Sequence, residues 1–465
     1  MQRLLERTSR TATALAMLVV LGAGPAWSSP IVAKEGVLPP GTELNEDPLD
    51  QPTELFGFEM AGGKRSYLFN LGDMLFSSAG IFGGPAQKAG ISCNTCHQQG
   101  AGNAKLYVPG LSSRPGNFDT SGALFNPKAD NGLFDPVTPP SLRGAKYLGP
   151  YGHDGRMASL RDFVRNVIVN EFAGPEPSPQ VLDALVTYID EIAFLPNPKL
   201  AAGGYLSAQA SEAARRGETV FNRPFPHDAS MSCASCHQPS SAFIDHKVHD
   251  IGSGGWFKTK TLLNANFNAP YFHDGRFDSY EQVVGYFDRH YDLGYSEGER
   301  ADLVAYLNTV GDGEEPYTRN TLALELDELK KFVSVLDTAI PARDREVIAL
   351  TVDAVGGEWR ELAEFFPGAK DTSVAGGLAE RRRARAAAGG MALTLRRIAM
   401  AAADNNFAEV EQAYSDYRAQ ATVAVVELKK AEPWSLFNPA VRDAHFQALA
   451  QLDAMAGVAG GLKSR

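Results

Sequence analysis

A chain of 465 residues with 44% hydrophobic content is long and apolar enough for two or more buried cores, which excludes a wholly disordered protein. Its formal net charge of -11 excludes a nucleic-acid partner as the default, because a phosphate backbone is met by basic surfaces.

The N-terminus carries Arg3, Arg7 and Arg10, then an apolar run from Ala14 to Ala23, then small residues around Ala26 and Ser28. That order predicts a secretory signal over 1–28, cleaved on export to the periplasm. The apolar run is shorter than the ~20 residues a helical span requires, and no later segment is longer. No membrane span is expected after cleavage. Residues 29–58, rich in Pro, Gly and acidic groups, predict an extended leader.

The four cysteines fall in two clusters, Cys93-x-x-Cys96-His97 and Cys233-x-x-Cys236-His237. Disulfides, a redox pair or half of a zinc site share the Cys-x-x-Cys spacing. The adjacent histidine decides against them, because Cys-x-x-Cys-His is the attachment signature of c-type haem. Two thiols three positions apart add to the two vinyl groups on one porphyrin edge, and the next imidazole turns under the plane to ligate iron. Two covalent haems c are expected, with His97 and His237 as proximal ligands.

The flanks of the clusters repeat. "LGDMLF" (Leu71 to Phe76) matches "RGETVF" (Arg216 to Phe221), and the segment from Thr138 to Leu160 parallels that from Thr259 to Tyr280. Both segments contain "HDGR", and "LVTYI" and "LVAYL" follow in later helices. The repeat predicts an all-α fold: a first cytochrome c-like haem domain over 59–199, a second over 200–314, and a C-terminal helical bundle over 315–465. In the last region the apolar spacing is helical, and breaks are expected at Pro341, Pro367-Gly368, Gly389-Gly390 and Pro433. The run Glu380 to Gly390 reads as a solvated helix face.

Over about residues 60–312 this ordered set resembles the bacterial di-haem cytochrome c peroxidases and their MauG-like relatives, most specifically through "VHDIGSGGWFKTKTLLNANFNAPYFHDGRF" (Val248 to Phe277). The resemblance implies electron transfer between two haems, with peroxide or another small oxidant at one of them and a redox partner protein such as a small cytochrome c or a cupredoxin. It also implies site residues. Where the family has a tryptophan between the haems, this chain has His153; where a glutamine stands near the peroxide site, it has Phe163; and Glu171 is the acid closest to the catalytic position. The family's Met or Tyr ligand position falls on Phe287, which cannot ligate, so Tyr286 and His290 become the candidate sixth ligands of the second haem. Met157 or His153 are the candidates for the first. His249 and His273 are expected to line the second haem, and Arg156 and Arg276 either to meet propionates as planar guanidinium forks or, equally, to hold their loops by bonding the neighbouring aspartates. Asn268 and the Pro270 carbonyl occupy positions of a calcium site in relatives.

The expected function is therefore an exported di-haem oxidoreductase, peroxidase/MauG-like. A non-enzymatic di-haem electron carrier is the alternative, favoured by the missing glutamine and the missing Met/Tyr ligand, and an O2-using oxygenase is the third reading.

Overall fold

The computed structural model describes the backbone of residues 37–45 and 50–462, with side chains through Gln451. The expected signal segment lies outside the described residues. The protein is mostly helical, as expected, with two short antiparallel ribbons.

Each repeat is built on a pair of helices. In the first, Tyr67–Ser77 packs on Pro179–Glu191; in the second, Glu212–Asn222 packs on Glu297–Val310. All four begin at a serine whose hydroxyl accepts a backbone N–H of the first turn: Ser66, Ser178, Ser211 and Ser296. Both pairs cross at a glycine. A Cβ on Gly72 would lie 2.1 Å from the Ala184 carbonyl oxygen, and one on Gly217 would lie 2.0 Å from that of Asp302. The backbones touch there, so no side chain fits.

Between the paired helices the two repeats share smaller features. Turns at Ala145–Tyr147 and Ala265–Phe267 open with left-handed residues, Gly144 (φ 68) and Asn264 (φ 54). Bridges Tyr151 to Met157 and Tyr271 to Phe277 follow. These features pair Pro140 with Lys260 and Thr138 with Lys258, one position away from the register that aligning Thr138 with Thr259 suggests. The backbone turn, not the shared threonine, sets the alignment.

Two cores form. The smaller unites Phe221, Phe243, Tyr306 and their neighbours from 220 to 310. The larger runs from Phe56 through the first repeat and on into Phe332, Trp359, Phe366 and Leu428 of the C-terminal helices. The helices after Thr318 thus share a core with the first repeat instead of closing on themselves. Among them, Leu378–Ala403 and Phe407–Ala431 pack along their length. The expected break at Gly389-Gly390 does not occur, because Leu378–Ala403 runs through it with Ala384, Ala388, Met391 and Leu395 buried. Two interior glycines cost about 1 kcal/mol each, less than that burial returns. Nor is the arginine run simply solvated. Arg381 is buried, its guanidinium donating to the carbonyls of Pro367 (2.6 Å), Gly376 and Val374, and Arg385 donates to those of Ala363 and Phe366.

Part of the leader pairs with the chain beyond the second repeat, Asp50–Pro52 lying antiparallel to Tyr317–Arg319. Glu54, just past this ribbon, accepts from the Tyr188 hydroxyl, while Asp73 pairs with Arg65 at 2.8 Å. Burial, aided by the Asp73 charge, pushes Glu54 up to about 8 from 4.5, against the pull of Tyr188, Arg65 and Lys331. Burial likewise raises Asp73 to about 6 and Glu328 well above its usual range. A folded pKa above the unfolded one means that the folded chain keeps a proton the unfolded chain has released. The contribution of Glu54 to stability is therefore full below about pH 4.5 and declines as pH rises toward about 8, by roughly 1 kcal/mol per unit. Urea midpoints at pH 5 and pH 8 should differ in the natural protein and lie closer together in Glu54→Gln, with the remaining difference carried by Asp73 and Glu328; a difference unchanged by Glu54→Gln would show that Glu54 is not buried as described.

Candidate functional site

Each cysteine pair occupies a single helical turn, Cys93–Cys96 and Cys233–Cys236, closed by a capping box from Ser92 with Thr95 and from Ser232 with Ser235. Positions three apart on a helix share a face, so both thiols of a pair point the same way. All four cysteines are free. Burial pushes the Cys93 thiol up to about 12 and that of Cys233 up to about 11, which keeps them as thiols.

The histidine after each turn leaves the helix and fixes its ring by a backbone carbonyl. Nδ1 of His97 bonds the Pro140 carbonyl at 2.8 Å, and Nδ1 of His237 bonds that of Phe243 at 3.1 Å. A carbonyl can only accept, so the proton sits on Nδ1 and the Nε2 lone pair is free, the arrangement of a metal-ligating imidazole. Burial brings His97 down to about 4 and lowers His237, so both rings are neutral. Paired thiols beside a neutral, pre-oriented imidazole fit a haem c in each repeat.

The two repeats meet at a seam built by a reciprocal exchange. The Thr138 N–H donates to the His273 carbonyl at 2.7 Å, and the equivalent Lys258 N–H donates to the His153 carbonyl at 2.8 Å. His153 Nε2 also donates to the Thr138 carbonyl at 2.8 Å, and the His273 ring stacks on Phe257 at 3.7 Å. Burial, then the Lys260 charge, holds His153 well below its usual pKa, so its ring is neutral. His246 joins this seam through Nδ1 to the Gly149 carbonyl at 2.8 Å. The sequence alone does not mark His246, Lys258 or Lys260, although "KTK" lies inside the quoted signature.

Glu171, Phe163 and Arg156 come together beside the first repeat's "HDGR" loop. Glu171 ends a π-helical turn, Val167–Glu171, a distortion frequent at functional sites. Its carboxylate accepts from Arg156 Nη2 at 2.7 Å and Asn166 Nδ2 at 3.1 Å. Arg156 also pairs with Asp154 at 3.1 Å and lies 5.3 Å from the Phe163 ring centre. Burial raises the Glu171 pKa against the lowering effect of Arg156 and Thr120. Arg276 is held likewise, by Asp274 at 2.7 Å and the Ser253 carbonyl at 2.7 Å. Both arginines therefore already have carboxylates of this chain as partners.

In the second repeat Tyr286, Phe287, His290 and Tyr291 form an aromatic cluster with Phe272 and Phe277. The Tyr286 hydroxyl donates to the Ile251 carbonyl at 2.6 Å, and His290 stacks on Tyr286 at 5.7 Å. His249 Nε2 donates to the buried Asp245 carboxylate at 2.7 Å, and this pair lies beside Cys236. Met157 is tied to Tyr151 by paired backbone hydrogen bonds. Asn268 Oδ1 is buried without a hydrogen-bond partner two residues before Pro270. No helix among the described residues is long and apolar enough to cross a membrane.

Residues 212–318 match the family model described as di-haem cytochrome c peroxidase, a segment that includes Cys233, Cys236, His237, His249 and His273. The chain is 26% identical over 224 residues to hydrazine synthase subunit gamma of Kuenenia stuttgartiensis, covering 45% of this chain and 54% of that protein. It is 29% identical over 127 residues to the methylamine utilization protein MauG of Methylorubrum extorquens, covering 21% and 34%. The chain thus spans about a third to a half of the length of these curated relatives. A solved structure of hydrazine synthase from Kuenenia stuttgartiensis, pressurized with xenon, aligns at 20% identity and a TM-score of 0.39 over 65% of this chain and 100% of the other. Each repeat carries a Cys-x-x-Cys-His turn that fits haem c, and over residues 212–318 the chain is similar to the di-haem cytochrome c peroxidases.

Proposed function

We propose that the chain is an exported di-haem c-type oxidoreductase of the peroxidase/MauG type, each repeat being a cytochrome c-like domain with one covalent haem. The observation that carries this reading is the pair of neutral imidazoles, His97 and His237, each with Nδ1 tied to a carbonyl beside two same-facing thiols. The haems, when bound, supply the redox chemistry, and the protein sets their ligation and surroundings. This chain's residues do the rest. His153 and His273 tie the two repeats together through the Thr138 and Lys258 backbones, and Glu171 stands as the proton-moving group of the first repeat.

The export reading rests on the N-terminal sequence, and the periplasm is the proposed compartment. Calcium at Asn268 and Pro270 is supported by the buried, unpartnered Asn268 Oδ1, since a carbonyl-type oxygen suits a hard cation. A redox protein such as a small cytochrome c or cupredoxin is the proposed partner, and peroxide or another small oxidant the proposed substrate.

The electron-carrier reading has its own support. Glu171 is engaged by Arg156, and Phe163 offers no proton. Mixing half-reduced protein with peroxide in a stopped-flow spectrometer separates the two. If the enzyme reading holds, the haem spectrum changes rapidly and Glu171→Gln slows it by about 10²- to 10⁴-fold, the usual contribution of acid-base help. A spectrum indifferent to peroxide, O2 and carbon monoxide in the natural protein would favour the carrier instead.

A further inference from the structure

Lys258 and Lys260 stand at the seam where the first repeat has Thr138 and Pro140, so two positive charges distinguish the second copy from the first. Both side chains are partly buried, and both ammonium groups are spent on neutral oxygens. Lys258 Nζ donates to the Pro150 carbonyl at 2.8 Å and to that of Leu148. Lys260 Nζ donates to the Phe272 carbonyl at 3.1 Å and to Thr138 Oγ1 at 3.3 Å. Among the described residues neither forms an ion pair. Asp274, whose charge reaches Lys260, has its oxygens committed to Arg276 at 2.7 to 3.0 Å. Asp245 is taken by His249 and Thr259, and Asp250 accepts from the Gly252 N–H at 2.9 Å.

Partly buried cations that face only neutral groups, here carbonyls, the Thr138 hydroxyl and, for Lys258, the Tyr151 ring at 5.8 Å, lack the counter-charge that ordinarily offsets their desolvation. The site therefore calls for an anion. Its location says which one, because Lys260 occupies the position of Pro140, whose carbonyl fixes the His97 ring in the first repeat, and so stands beside the imidazole assigned to the second haem. A porphyrin attached there brings two carboxylates of its own, and Arg156 and Arg276 are already paired within the chain. We propose that Lys258 and Lys260 form the socket for porphyrin propionates at the seam, placing the compensating positive charge of the second haem on lysines. The proposal rests on the di-haem reading above.

The test is spectroelectrochemistry of the intact holoprotein, with intact mass first counting the haems. Removing a nearby positive charge favours ferric over ferrous iron. Lys260→Gln should therefore shift the oxidised-to-reduced ratio of one haem about tenfold at fixed potential, a fall of 59 mV for one electron. Lys260→Arg keeps the charge and should stay within twofold of the natural protein, as should Lys199→Gln, whose lysine pairs with Asp312 away from the seam. Should Lys260→Gln not accumulate, Lys258→Gln carries the same expectation. Two haems by mass with potentials unchanged in both seam variants would overturn the socket while leaving the di-haem reading intact. A shift that appears only with added phosphate or chloride would overturn it too, by showing a free anion in the site. A natural protein without covalent haem would remove the reading beneath it.

Discussion

Replacing Cys93 and Cys96 together by alanine should lower the covalent haem content of the purified protein from two to one, read as a loss of one haem in the intact mass. The pair at Cys233 and Cys236 should do the same for the other haem. The reason is geometric. Each turn aims both thiols to one side under a fixed capping box, and the neutral ring of His97 or His237 ends the turn with Nε2 free. Removing both sulfurs leaves coordination without attachment, and acid-acetone then extracts that haem. A double variant that kept two covalent haems would show that attachment does not use these thiols. Changing His445, bonded to Asp371 at 2.6 Å in the C-terminal region, should alter no haem band.

Putting a side chain at Gly217 should be the most destabilising single change in the second repeat. An alanine Cβ would sit 2.0 Å from the Asp302 carbonyl oxygen and 2.8 Å from the Tyr306 Cβ, and neither backbone can yield without parting the two helices. Overpacking commonly costs 1–3 kcal/mol, and a clash with backbone belongs at or above the top of that range, about 3 kcal/mol. Parting these helices also loosens the core of Phe221 and Tyr306. Gly72→Ala should act alike in the first repeat, where the Ala184 oxygen is 2.1 Å away. Gly356→Ala is the control: nothing lies within 4 Å of the added carbon, and it removes a helix-interior glycine, so it should be neutral or stabilising. Thermal melts of the three variants check this, and a Gly217→Ala midpoint equal to that of Gly356→Ala would contradict the close helix crossing.

Much of this could be read without a structure. The haem turns are local: two cysteines and a histidine within five positions carry the chemistry in their spacing alone. Helix starts were legible too, since a serine ahead of an apolar run supplies its own cap, and Pro341, Pro367 and Pro433 each lie just beyond a helix end because proline cannot continue one. The Gly389-Gly390 break failed for the opposite reason. Local propensity favoured a stop, and burial of Ala388 and Met391 between helices outweighed it.

What the tertiary structure alone decided lies in contacts between distant parts of the chain. Arg156 pairs with its neighbour Asp154, as its sequence allows, but only folding brings Glu171 against it as a second carboxylate. Lys258 and Lys260 read as ordinary loop lysines until the first repeat's Pro150 and Thr138 are brought against them. The C-terminal helices read as a separate bundle until Phe332 and Trp359 are found in one core with Leu71 and Phe76. A residue's type and near neighbours determine which covalent and capping chemistry it can do. Whether its charge is paired or its apolar face covered depends on which residue a hundred positions away is pressed against it, and that is settled by burial of the whole chain at once.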